Sequence, residues 1–301
     1  MVLPALLLLA TPLVPMARAE PGAPAAAASS TPVAFETHEK WRPGERLATA
    51  GHNVNVRLAP GTAADIVARL PLGTAFVIDE ADPNEFSDVD GRKGQWVRGR
   101  AVGPGAPAVQ GWVWDGALTH AAYEADLDGD GELEVVTVGF NDKIEVVVRV
   151  REPAIDGPEA VTALNLGQAF DIDGPQRALH VRVLRVEDAA IPLVWVNWAA
   201  QEMCGSGDYS RYASYRSPGP GTPGTLNLAL EHRGSGGDAP MWYQTAATWA
   251  PADRTVSVHS TSGEYNNEGS PEIEHDETIS YHLEGGVYVA TDRSKAPAEK
   301  P

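Results

Sequence analysis

Asp126, Asp128, Asp130 and Glu134 carry the clearest chemistry in this chain. They lie along Asp126-Leu127-Asp128-Gly129-Asp130-Gly131-Glu132-Leu133-Glu134, where carboxylates alternate around two glycines. Carboxylates at this spacing turn their oxygens onto one centre when glycine lets the backbone bend sharply, and a hard divalent cation offsets their mutual repulsion. No side chain in the run does acid chemistry unaided, so it points to binding or structural support rather than to a reaction. The same residues also suit an Asp/Gly turn between two strands with no metal.

An EF-hand places a bidentate glutamate at the twelfth loop position, which is Thr137 here, and follows its loop with a helix. Neither condition holds, because Val135-Val136-Thr137-Val138-Gly139-Phe140 is β-branched and reads as a strand. The nine residues instead resemble the shorter DxDGDGxxD/E loop of FG-GAP and VCBS-type repeats in integrin-like proteins. That resemblance implies calcium between two strands, with side-chain oxygens from Asp126, Asp128, Asp130 and Glu134 and the backbone carbonyl of Glu132. A propeller repeats such a motif once per blade. This chain has one copy and a partial echo at Asp171-Ile172-Asp173-Gly174, so a propeller is not expected.

Nucleophilic catalysis has weaker candidates. Cys204 is the only cysteine, and the Gly, Ser and Tyr-rich segment after it lacks the helical pattern that favours a thiolate. His232 and His259 lie in no recognisable histidine motif. Arg233-Gly234-Ser235-Gly236-Gly237 reads as a flexible turn rather than a nucleophile elbow, and no His-Glu-x-x-His zinc motif occurs. A second acidic cluster, Glu272-Ile273-Glu274-His275-Asp276-Glu277, reads as a solvated strand or turn. No catalytic residue is assigned, and the expectation is a protein that is not an enzyme.

Composition narrows the partners. Twenty-three basic against 41 acidic residues give a formal charge of -18, which opposes nucleic acid and anionic membranes, since phosphate contacts need a basic face. Residues 1–19 are apolar and end in Ala17-Arg18-Ala19, a small-x-small pattern that reads as an export signal. The run is broken by Pro4, Pro12 and Pro15, so no membrane span is expected in the mature chain. The expected location is periplasmic or extracellular. One thiol allows no internal disulfide, so stability has to come from packing, to which a metal at the acidic loop would add.

The elements that would position these residues are almost all strands. Residues 20–46 read as an Ala/Pro/Ser-rich flexible linker and 291–301 as a disordered tail. Between them, short alternating runs are punctuated by glycine and proline. In the first unit, residues 47–120, Asn55-Val56-Arg57 precedes Pro60. Val67, Leu70, Gly73 and Val77 follow, then Trp96-Val97 and a closing Gly111-Trp112-Val113. Over about 70 residues this resembles the bacterial SH3 (SH3b) family, with Leu58-Ala59 where the family usually has Ser-Gly. The resemblance implies a small, partly open SH3-like barrel that binds cell-wall peptidoglycan or a peptide. Trp96 and Trp112 are expected in its core, and Trp114 is the candidate exposed surface for stacking a ligand.

The second unit, residues 121–290, opens with the acidic loop. Strands are expected at 144–150, 178–186, 192–200, 225–232, 242–248, 255–260, 277–283 and 286–290. In 178–186, His180, Arg182 and Val186 share one face and Leu179, Val181 and Val183 the other. Many short antiparallel strands suggest a β-sandwich or a large twisted sheet. The expected protein is thus all-β: an SH3b module for a cell-wall or peptide ligand, joined to a calcium-stabilised β domain and exported. The alternatives are a cell-wall hydrolase with an unrecognised C-terminal active site, and a secreted inhibitor or scaffold.

Overall fold

Val135 to Val138 are consecutive β-branched residues, and they form the middle of a strand, β12 (Glu134–Phe140), that is buried on both faces. Such a strand reads as a continuous apolar run because neither side meets water. One face carries Val136, Val138 and Phe140 into a large core, while Thr137 and Gly139 on the other approach Ala50 of the preceding unit. The computed structural model describes residues 31–34, 41–81, 87–103, 108–143, 145–153, 160–168, 178–202, 205–219, 222–237 and 240–295.

The first unit is one curved sheet of seven strands. These are β2 (Arg46–Thr49), β3 (Val54–Arg57), β4 (Ile66–Leu70), β5 (Ala75–Ala81), β8 (Trp96–Val102), β9 (Gln110–Trp114) and β10 (Leu118–Thr119). Their order is β10-β2-β5-β8-β9-β3-β4, so the sheet bends around Val56, Leu70, Phe76, Ile78, Val97 and Val113 but stays open between β10 and β4. The expected barrel is therefore not closed. A small hairpin, β6 (Ser87–Val89) and β7 (Arg92–Gly94), occupies part of the long acidic connection after β5.

A four-stranded sheet follows: β11 (Ala122–Ala125), β12, β13 (Glu145–Arg151) and β14 (Val161–Gln168). It packs against the start of a nine-stranded antiparallel meander. The meander runs from β1 (Thr31–Ala34) and β15 (Ala178–Leu184) through β16 (Leu193–Glu202), β17 (Gly205–Arg216) and β18 (Thr225–Gly237). It continues through β19 (Met241–Ala250), β20 (Thr255–Tyr265) and β21 (Pro271–Glu284) to β22 (Val287–Lys295). Period-two alternation splits β16 between two cores. Val194, Val196 and Trp198 face the four-stranded sheet, and Leu193 faces a second core with Val256, Val258, Leu283 and Tyr288 of β20 to β22. The far end of the meander thus folds back over its beginning, giving a sandwich on one side of β15 to β17 and a roll on the other.

Several expectations change in detail. Thr31–Ala34, inside the expected linker, pairs with β15 because that edge strand offers an unpaired ladder. The expected tail joins β22 as far as Lys295, and Ser235-Gly236 belongs to β18 rather than to a turn. Val186 does not continue β15 but starts a one-turn helix, α1 (Val186–Ala189), and is exposed. The signal segment, Asp171 to Gly174 and Cys204 lie outside the described residues.

From Thr31 onward the chain forms one compact unit. The contacts that join the seven-stranded sheet to β12 are buried hydrogen bonds: the Thr137 hydroxyl donates to the Ala50 carbonyl at 3.0 Å, and the Thr119 hydroxyl to the Val138 carbonyl at 2.7 Å. Thr137→Val keeps the shape and removes one of them, so it is expected to cost about 1 kcal/mol in a single cooperative unfolding transition. Two transitions, of which only one moves, would show that the halves unfold independently.

Candidate metal centre

The two valine ladders of β12 and β13 end in acids. Val136, Val138 and Phe140 share an inward face, and Glu134 continues it by one step; Val146, Val148 and Val150 share the facing one, and Glu152 continues that. The register pairs Val136 with Val150 and Val135 with Arg151, so its next step sets Glu134 opposite Glu152. Both glutamates are 0% exposed. Polar groups at this parity are buried, where an unpaired oxygen costs free energy.

The loop before β12 brings a third carboxylate to the pair. Gly129 and Gly131 adopt left-handed backbone (φ 85° and 91°), which reverses the chain within a few residues. Asp126 accepts from the Gly129 and Gly131 amides at 2.7 and 3.2 Å, Asp128 from Asp130 N–H at 3.1 Å, and Asp130 from Glu132 N–H at 2.8 Å. Oxygens of Asp126, Asp128 and Asp130 fall within 4.8 Å of one another, and so do oxygens of Asp128, Glu134 and Glu152. Asp128 belongs to both groups and links the exposed rim of the loop to its buried floor.

Each glutamate spends one oxygen on an internal partner. The Leu127 amide donates to Glu134 Oε2 at 2.6 Å, and the Tyr215 hydroxyl to Glu152 Oε1 at 2.5 Å. The second oxygens, Glu134 Oε1 and Glu152 Oε2, are buried and have no hydrogen-bond partner. Burial is the main influence pushing the Glu134 carboxyl up to about 7, helped by the charges of Asp128, Glu152 and Asp130. Burial raises Glu152 too, with Asp128, Asp130 and Glu132 adding to it, and burial raises Asp128. The charges acting on the pair are thus further carboxylates, and what the arrangement can do chemically is hold positive charge.

Of the ligands read from the sequence, Asp126, Asp128 and Asp130 form one group, and Glu134 meets Asp128 in the other. Glu132, read for its backbone carbonyl, has an exposed side chain on the rim whose charge acts on Glu152. Glu152 was not read as a ligand. Its signal is an acid at the core-facing position after Val146, Val148 and Val150, visible only once β12 and β13 are paired.

Trp114, read as an exposed stacking surface, is a correction. It is only 6% exposed, and the Arg92 guanidinium from the β6–β7 hairpin lies 4.4 Å from its ring centroid. The hairpin in the acidic connection after β5 supplies that cover. Trp96, its register partner, is buried as expected, while Trp112 is half-buried. Among the weighed catalytic histidines, His232 Nε2 lies 3.3 Å from the Tyr212 hydroxyl and His259 Nε2 lies 2.8 Å from Asp276. In the second acidic cluster, Glu272, Glu274 and Asp276 lie on β21 and form no three-ligand group among the described residues.

Among the described residues no helix is long and apolar enough to cross a membrane. Comparison with known proteins gives no match to a family model, to a curated protein or to a solved structure.

The acidic pair fixes the sign of a pH effect. The Glu134 carboxyl titrates near 7 in the folded chain against an ordinary 4.5, so between those values the native state holds a proton that the unfolded chain has released. Its contribution to stability is complete below the lower value and is lost as pH rises through the upper one. In a chelating buffer the melting temperature is therefore expected to fall from about pH 5 to about pH 8, and Glu134→Gln to flatten that fall. Identical slopes for the two proteins would contradict this assignment.

Proposed function

We propose that this chain is an exported, non-enzymatic binding protein whose folded state is held by calcium bound at Asp126, Asp128, Asp130, Glu134 and Glu152. One observation carries the reading: two fully buried glutamates each keep an unpartnered oxygen and share a 4.8 Å cluster with Asp128. Oxygens on opposite sides of a calcium ion are separated by about twice the 2.3–2.6 Å coordination distance, which suits that spacing. An all-oxygen donor set without histidine or thiolate favours a hard cation over zinc or copper. Calcium at this point supplies the charge that lets the ends of β12 and β13 stay ionised inside the core.

The binding module is the seven-stranded sheet, with an SH3b-like pattern, and its ligand is cell-wall peptidoglycan or a peptide. Supporting it, Val56, Leu70, Val97 and Val113 of the resemblance meet in one core. The burial of Trp114 moves ligand stacking away from that residue.

Metal that binds only the folded state stabilises it by RT ln(1 + [L]/Kd), roughly 2.7 kcal/mol at a hundredfold excess over Kd. Chelation is thus expected to lower the melting temperature by several degrees, with recovery in calcium and much less in magnesium. Glu152→Gln retains an acceptor for Tyr215 and removes one negative charge. The variant should melt at or above the wild-type temperature in chelator and lose the response to calcium. A wild-type melting curve that is the same in chelator and in calcium would refute the proposal.

A further inference from the structure

The nine-stranded meander opens where β18 and β19 part. Their ladder consists of Ser235 with Gln244 and Gly236 with Tyr243, after which β19 leaves β18 and crosses toward α1. The opening leads to a cavity of about 290 Å³ lined by Arg182, Leu184, Asp188, Trp195, Tyr212 and Trp249. Arg182, Trp195 and Tyr212 are register partners in a row across β15, β16 and β17, and Trp249 faces them from β19. Trp249 meets Tyr212 edge-on, with centroids 5.2 Å apart at 62°. Trp249 also meets Tyr288, with centroids 5.4 Å apart at 80°, so the cavity has an aromatic wall of Trp195, Tyr212 and Trp249 and a polar rim of Arg182 and Asp188.

The polar groups on that rim are only loosely engaged. Arg182 Nη2 and Asp188 Oδ2 lie 3.7 Å apart, too long for a hydrogen bond, and Asp188 also accepts from the Arg185 amide at 3.2 Å. Arginine is a fork of donors and aspartate an acceptor. Because their charges offset, the rim favours a neutral guest. A charged guest would have to break the pair, and a wholly apolar one would leave the rim unanswered.

We propose that this cavity binds a neutral sugar ring, its C–H face against the aromatic wall of Trp195, Tyr212 and Trp249 and its hydroxyls bonded to Arg182 and Asp188. Its volume is at the small end of ligand pockets, so it takes one ring of a longer glycan. This goes beyond the module proposed on the seven-stranded sheet, giving the roll a second seat whose ligand is a glycan.

The test uses the full chain in calcium, titrated with a β-linked trisaccharide of N-acetylglucosamine and with one of glucose. Tryptophan fluorescence and the indole N–H resonances of labelled protein are the readouts. At least one sugar is expected to bind saturably with Kd of about 1 mM or tighter, moving the Trp195 indole signal. Trp195→Ala and Asp188→Asn should each weaken it about tenfold or more, with near-ultraviolet circular dichroism showing the variants folded. No saturable binding by either sugar, binding unchanged in both variants, or free indole displacing the sugar from a tighter site would each overturn the inference. The calcium-dependent melting curve is read separately, so a failed pocket leaves the metal reading standing, and loss of the calcium response leaves the pocket standing. Mass spectrometry of the recovered sugar adds a third readout: intact trisaccharide fits a binding protein, and cleavage would overturn the non-enzymatic reading.

Discussion

Glu134 and Glu152 face one another at the closed end of a core built from valines, and the negative charge they bring there is the constraint on which the surrounding structure depends. A carboxylate taken out of water costs several kcal/mol unless something answers it. The Leu127 amide and the Tyr215 hydroxyl each answer one oxygen. The other two have no partner, and the pair shares a cluster with Asp128. A proton would neutralise one group, whereas a divalent cation would answer both glutamates and Asp128 at once.

The position of this charge explains why it matters to the whole chain. Glu134 begins β12, the strand that serves two cores at once, and its partner Glu152 is tied through Tyr215 to β17 of the meander. Tyr215 also accepts from the Gly224 amide at 2.8 Å, just before β18 begins. The acidic site therefore touches the aspartate loop, the four-stranded sheet and the meander within a few bonds. β12 is also tied to the preceding unit: the Thr137 hydroxyl donates to the Ala50 carbonyl, and Thr119 of the seven-stranded sheet donates to the Val138 carbonyl. Disorder at the end of β12 would reach both layers.

Much of this was legible in the residues, and the exceptions share a cause. Alternation marked most strands, and four of the five carboxylates of the acidic site follow from spacing within nine residues. What escaped were features that need a partner strand before they acquire meaning. Glu152 looks like one more surface acid until β13 is set against β12. The segment Gly205–Arg216 reads as a loop by its Gly, Ser and Tyr content, yet it becomes the central strand β17 because neighbours on both sides complete its ladder and cores on both faces cover Tyr212, Ala213 and Tyr215. Trp114 failed for the same reason: a hairpin within an unremarkable acidic connection folds Arg92 across its ring. The row of Arg182, Trp195 and Tyr212 is likewise invisible along the chain, since its members meet only across strands.

Diffraction from a crystal grown in calcium, recorded at a wavelength where calcium scatters anomalously, tests the central claim most directly. The account predicts an anomalous peak within about 2.3–2.6 Å of oxygens from Asp128, Glu134 and Glu152. A clean map in which the two glutamates share a short hydrogen bond and no peak lies between them and Asp128 would contradict it.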